Sequence, residues 1–176
     1  MKRRHFLGLA LYAAAAPAFA RTRLDKKPRI LTLRHLHTDE RLSIAYRVGD
    51  AYQRDALRKL NRLLRDHRTD ETVPMDPRLF DLLYDVQMRA GHPESEIEVF
   101  SGYRSPRTNA MLRRASSRVA RRSLHMSGKA IDIRVVGCSN HRVRDAAISL
   151  ERGGVGYYPR SSFVHVDTGP VRSWRA

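Results

Sequence analysis

Leu31, Leu33, His35 and His37 alternate with other residues, and Leu42, Ile44, Tyr46 and Val48 repeat that alternation after the polar stretch Thr38-Asp39-Glu40-Arg41. Two period-two runs around a polar turn predict a β-hairpin. The period then changes. Leu57, Leu60, Leu63 and Leu64 mark one apolar helix stripe, and Leu79, Leu82, Leu83, Val86 and Ala90 mark a second at i, i+3, i+4, i+7 and i+11. Asp76-Pro77 gives the second helix a capping side chain and a proline where no backbone N–H is needed.

Further along, "EIEVFSGYRSP" predicts a strand from about Ile97 to Phe100, a glycine turn, an exposed loop carrying Tyr103 and Arg104, and a helix entered through Ser105-Pro106. In "AIDIRV", Ile131, Ile133 and Val135 share one strand face, which leaves Asp132 on the other with Ala130 and Arg134. A third helix stripe, Val143, Ala146, Ala147 and Leu150, stops at Gly153-Gly154. After it, "VGYYPRSSFVHVDTG" predicts a hairpin turning at Pro159 to Ser161. Its second strand puts Phe163, His165 and Asp167 on one face and Val164 and Val166 on the other. These elements predict an α+β fold: one domain with a central antiparallel sheet flanked by helices.

The first twenty residues, "MKRRHFLGLALYAAAAPAFA", change the setting. Basic Lys2, Arg3 and Arg4, an apolar run from Phe6 to Ala16 and the small-residue site Ala18-Phe19-Ala20 have the three parts of a secretory signal cleaved after Ala20. Arg3-Arg4 followed by Phe6-Leu7 resembles the twin-arginine signal, which implies the twin-arginine export machinery as a partner and the periplasm as the destination. The apolar run falls short of the ~20 residues a spanning helix needs, so no transmembrane segment is expected after cleavage. Residues 21–29 then form a basic linker and 30–176 the folded domain. A single cysteine, Cys138, excludes an internal disulfide. Cleavage removes three basic residues and no acidic ones, taking the net charge from +16 to +13. Such a surface seeks an anionic partner. Export points away from nucleic acid and toward the cell wall, whose stem peptides carry carboxylates.

Candidate chemistry lies in two stretches. "SLHMSGKAID" spaces His125 and Asp132 around a glycine turn, and "FVHVD" aims His165 and Asp167 the same way. Two histidines and one or two carboxylates, each on a strand or at its mouth, fit a zinc site of three protein ligands with one open position, which is the catalytic form. Such a site activates water and polarises an amide carbonyl, and a nearby carboxylate relays the proton to the leaving amine. His35 and His37 belong to packing or surface and stay outside the site. Tyr157, Tyr158 and Trp174 are candidates to line a groove.

"SGYRSP", "SLHMSGKAID" and "FVHVDTG", in this order, resemble the motif set of the metallopeptidases grouped with lysostaphin, D-Ala-D-Ala carboxypeptidases and the hedgehog N-terminal domain, most closely the MepK-type murein endopeptidases. The similarity spans nearly the whole mature chain. It implies Zn2+ held by His125, Asp132 and His165 in a cleft on the exposed sheet face, and Arg104 as a contact to a substrate carboxylate or to the oxyanion. It further implies hydrolysis of peptide cross-links in peptidoglycan. Tyr103, in the same loop as Arg104, and Tyr157, in the groove, are expected beside Arg104 as substrate-binding residues. Carboxypeptidase relatives carry a catalytic Glu shortly before the last His, where this chain has Ser161, Ser162 and Phe163. Asp167 is the expected substitute as catalytic base, with orientation of His165 as its other reading. A non-catalytic, zinc-stabilised peptidoglycan-binding module is the alternative to an enzyme.

Overall fold

The computed structural model describes residues 27–117 and 119–176. The expected signal peptide and most of the expected linker therefore lie outside the described residues. One sheet of eight strands organises the domain, in the order β3-β2-β1-β4-β5-β7-β6-β8. Its members are β1 (Pro28–His35), β2 (Arg41–Val48), β3 (Ala51–Tyr52), β4 (Ile97–Ser101), β5 (Ala130–Val135), β6 (Gly154–Tyr158), β7 (Phe163–Asp167) and β8 (Arg172–Arg175). Because β1 starts at Pro28, the last two residues assigned to the linker belong to the sheet.

The sheet is mixed, which corrects the expectation of an antiparallel one. β1 pairs with β4 in parallel, and β6 pairs with β8 in parallel. A parallel pair needs a long crossover. Between β1 and β4 the chain supplies it through helices α1 (Arg54–Leu63) and α2 (Pro77–Arg89), with β2 and β3 ahead of them. The short strands β3 and β8 carry no alternating apolar run, so only their pairing reveals them.

Helices α1, α2 and α4 (Asn140–Ser149) pack on one face of the sheet. Leu31, Leu33, Tyr46, Ile97, Val99, Ile131, Ile133, Val164 and Val166 meet them there, all fully buried. The helix boundaries follow local chemistry. Asp76 accepts the Arg78 N–H ahead of Pro77 at α2, and Ser105 accepts the Thr108 N–H ahead of Pro106 at α3 (Pro106–Ala115). α4 ends at Ser149, before the glycine pair expected to stop it. Gly153 and Gly154 answer a different demand: a Cβ at Gly153 would lie 1.7 Å from the Asp167 carbonyl oxygen, and one at Gly154 would lie 2.4 Å from the Asp167 carboxylate. Among the described residues no helix is long and apolar enough to cross a membrane.

With α1, α2 and α4 on one face, the sheet presents the other face around β5, β6 and β7 to a cleft. That face carries Asp132, Gly156, Tyr158, Phe163 and His165.

Candidate metal centre

Asp132 on β5 and His165 on β7 are directly paired across the antiparallel ladder, so register alone brings them together. His125 arrives from outside the sheet on a 3-10 turn, Leu124–Ser127, ended by Gly128 at φ 65°. That left-handed position suits glycine, and here a Cβ would also lie 2.7 Å from the Pro74 carbonyl oxygen. The turn folds His125 back over the strand. Asp132 Oδ1 lies 2.8 Å from His165 Nδ1 and 3.3 Å from His125 Nε2. The two ring nitrogens are 3.2 Å apart. The ligand atoms of the three buried side chains all fall within 4.8 Å of one another, the spacing of a metal-binding group.

The outward-facing nitrogens set which atoms are left for a cation. His125 Nδ1 is 2.8 Å from the Gly102 carbonyl, which can only accept, so Nδ1 carries the proton and Nε2 is bare. His165 Nε2 is 3.0 Å from a carboxylate oxygen of Asp167, so it too carries a proton, and Nδ1 points inward. Two imidazole lone pairs and a carboxylate oxygen then converge on one point. Such a set fits a cation, because neutral tautomers alone would leave three electron-rich atoms facing one another. A proton can take that place. Burial works against a charged His165, yet the hydrogen bonds to Asp132 and Asp167 outweigh it and raise its pKa to about 9. Burial instead dominates at His125 and pushes it down. Asp132 is held well below the usual carboxylate range: the two histidines overcome a burial effect of opposite sign.

Asp167 lies behind His165, on the side away from the convergent atoms, and it is 0 % exposed. Its Oδ1 accepts the N–H groups of Gly154 at 3.0 Å and Gly169 at 2.8 Å, and Arg172 at 3.2 Å. Its Oδ2 accepts from His165 and, at 2.6 Å, from Arg172. Burial resists its charge, but these donors outweigh it and hold its pKa low. The structure places Asp167, the expected base, in a buried position with both oxygens engaged, the setting of its other reading as a carboxylate that orients His165. The geometry is that of a carboxylate orienting a ligand histidine.

Arg104 reaches the site from the segment between β4 and α3. Contrary to the expected exposed loop, its side chain is 13 % exposed, with Nη2 3.6 Å from Asp132 Oδ2 and 3.4 Å from Ser101 Oγ. The segment is pinned along its length. Gly102 presses on Leu64, where a Cβ would come within 2.5 Å of the backbone oxygen; Tyr103 N–H donates to that oxygen at 2.7 Å; Arg104 N–H donates to the His125 carbonyl at 3.2 Å; and Ser105 N–H donates to Asp66 Oδ2 at 2.8 Å. Burial removes water from the guanidinium, which lowers its pKa and strengthens its interaction with an incoming anion.

A cavity of about 400 Å³ opens above the three convergent side chains, lined in part by Arg104, Arg122, Tyr158, Phe163 and Trp174. Tyr103 and Tyr157, expected here, are in the core instead, 7 % and 5 % exposed. Tyr157 pairs with Val164 and shares its core-facing side, whereas Tyr158 pairs with Phe163 on the His165 side. A shift of one residue reverses the face. Counting parity back from His165 through a two-stranded hairpin identifies Tyr158, once the pairing register is known. Arg122 carried no periodic or motif signal.

A mixed sheet flanked by helices thus carries, at the floor of a cleft lined by Arg104 and Arg122, a His-Asp-His group that could hold a metal ion. The chain belongs to the family described as peptidoglycan L,D-endopeptidase MepK, whose pattern matches residues 23–174. It is 47 % identical over 169 residues to the probable peptidoglycan L,D-endopeptidase MepK of Haemophilus influenzae, covering 96 % of this chain and 89 % of that protein. It is 46 % identical over 169 residues to the peptidoglycan L,D-endopeptidase MepK of Escherichia coli, covering 95 % of this chain and 92 % of that one. No solved structure gives a significant match.

Proposed function

We propose that this chain is an exported, zinc-dependent endopeptidase that hydrolyses peptide cross-links of peptidoglycan in the periplasm, with the L,D cross-link as its substrate. The reading rests on one observation above all: two imidazole nitrogens and a carboxylate oxygen converge within 4.8 Å at the floor of an open cleft, in a chain of the MepK family. His125 through Nε2, His165 through Nδ1 and Asp132 through a carboxylate oxygen would hold the zinc. When bound, zinc supplies Lewis acidity toward the amide carbonyl and activates water.

The chain's own residues do the rest. Asp167 and the Gly102 carbonyl each accept a hydrogen bond from a ring N–H, so that both histidines keep the tautomer that leaves a lone pair inward. Arg104 and Arg122 make the cleft cationic, which suits stem peptides bearing carboxylates and draws them in from solution. Arg104, whose forked guanidinium matches a carboxylate or an oxyanion, orients the cross-link over the donor set. The signal-like N-terminus, with its twin-arginine resemblance, accounts for delivery to the wall.

The test is to incubate zinc-loaded protein with purified muropeptide dimers carrying either an L,D or a D,D cross-link and to weigh the products. Cleavage of the L,D dimer to monomers, abolished by a chelator and restored by zinc, is expected. If neither dimer is cut, the enzymatic reading fails. If only the D,D dimer is cut, the assignment of the bond fails.

A further inference from the structure

With Asp167 buried behind His165, the described residues lining the cleft include no carboxylate besides Asp132, and Asp132 is committed to the two histidines. The hydrogen bonds that a reacting amide needs must come from other groups. Tyr158 ends β6 on the cleft face. Its ring stacks on Phe163, with centroids 4.5 Å apart and planes at 20°, and Phe163 in turn leans on Phe100 at 5.6 Å. The phenol is therefore fixed in direction.

Its oxygen accepts the indole N–H of Trp174 at 3.1 Å. An indole N–H only donates, so the phenol's own proton is directed elsewhere, and among the described residues it has no acceptor. Accepting one hydrogen bond makes a hydroxyl a stronger donor of its own.

Trp174 is held as firmly. It sits over Gly156, where a Cβ would come within 2.5 Å of the indole. Its ring lies 5.2 Å from that of His165, and the Arg172 guanidinium, itself paired with Asp167, covers it at 5.1 Å. β8 thus reaches the centre through Trp174 and Arg172. Tyr158 and Trp174 line the same cavity as His125, His165 and Arg104.

We propose that the Tyr158 hydroxyl donates a hydrogen bond to the carbonyl oxygen of the scissile amide, together with Arg104, and that Trp174 is the positioning residue that aims it. The inference rests on the endopeptidase reading above. As the carbonyl carbon is attacked, its oxygen gains negative charge, and a fixed O–H pointed at it stabilises that charge without reorganising.

The experiment uses the zinc-loaded full mature chain and an L,D cross-linked muropeptide dimer. Tyr158→Phe keeps the stacking ring and removes the donor. It is expected to lower kcat by roughly 10²-fold, the scale of one oxyanion donor, with KM, zinc content and melting temperature as in the parent. Trp174→Phe keeps an apolar wall and removes the N–H; it should lower kcat less, and adding it to Tyr158→Phe should cost little more, because the two residues act through one hydroxyl. A Tyr158→Phe enzyme with the parent's kcat overturns the proposal. So does a loss confined to KM, or one that follows zinc content or melting temperature, which makes the tyrosine a binding or folding residue. Additive losses in the double variant overturn the role of Trp174. A parent that cuts no cross-link sinks the endopeptidase reading and this inference with it; an active parent with an equally active Tyr158→Phe sinks the inference alone.

Discussion

Asp167→Asn separates the two roles a carboxylate beside a ligand histidine can have. In the native site five donors meet one side chain: Gly154, Gly169 and Arg172 on Oδ1, and His165 and Arg172 on Oδ2. An amide has one acceptor atom and one donor group. If its oxygen takes the two backbone N–H groups, its NH₂ confronts His165 Nε2–H and Arg172; in the reverse orientation it confronts the backbone donors. At His165 the conflict is relieved if the ring moves its proton to Nδ1, the atom that faces Asp132 and His125. That proton occupies the metal position. Loss of such a supporting carboxylate typically costs about 10 to 100-fold in metal affinity, or about 1.4 to 2.7 kcal/mol. A buried group left facing mismatched donors costs about 1–3 kcal/mol in fold stability. Competition for zinc against a chelator of known affinity, run beside urea denaturation and cross-link cleavage, measures all three. Zinc affinity and activity are expected to fall together. A variant that binds zinc as the parent does while turnover falls about 10² to 10⁴-fold, the worth of general acid-base assistance, would refute this reasoning and restore Asp167 as the proton relay.

Three further outcomes follow from the same geometry. Alanine at His125, Asp132 or His165 should each lower zinc content in purified protein, and full occupancy in all three variants would remove the ligand assignment. Arg104→Ala should keep zinc and lose cleavage, while Arg104→Lys should recover only part of it because an ammonium cannot make the forked contact; unfolding of Arg104→Ala would make the arginine structural. His35, 1 % exposed, is kept neutral by burial and by His37 and Arg65, which lower its pKa to about 4. The unfolded chain, with an ordinary histidine near 6.5, then binds more protons, so this contribution to stability is full above about pH 6.5 and is lost as pH falls toward 4, about 3 kcal/mol across the window. Urea midpoints between pH 7 and 5 should fall less for His35→Gln than for the parent, and equal slopes would refute the assignment.

Where local chemistry decides structure, the sequence was legible. Apolar stripes of Leu79, Leu82, Leu83 and Val86, with Asp76-Pro77 ahead of them, place α2 because a cap and a helical period act within a few residues. Alternation in "AIDIRV" and "FVHVD" places Asp132 and His165 on strand faces because the side-chain period of a strand is two. The glycine turn after His125 follows from the left-handed backbone at Gly128. These local rules, with the family resemblance carried by three ordered motifs, nominated His125, Asp132 and His165.

What they leave undetermined depends on neighbours far along the chain. The parallel pairings of β1 with β4 and β6 with β8 arise from crossovers, and no residue on either strand encodes its partner. Tyr158 rather than Tyr157 faces the cleft because the β6-β7 register, one residue either way, sets the face. Asp167 points the same way as His165, as strand parity requires. Yet only the closure of Gly153, Gly154, Gly169 and Arg172 around it buries the carboxylate and engages both of its oxygens. Spacing along a chain fixes which side chains share a face; burial and hydrogen-bond saturation, which decide whether a carboxylate can move a proton, exist only once distant segments have packed.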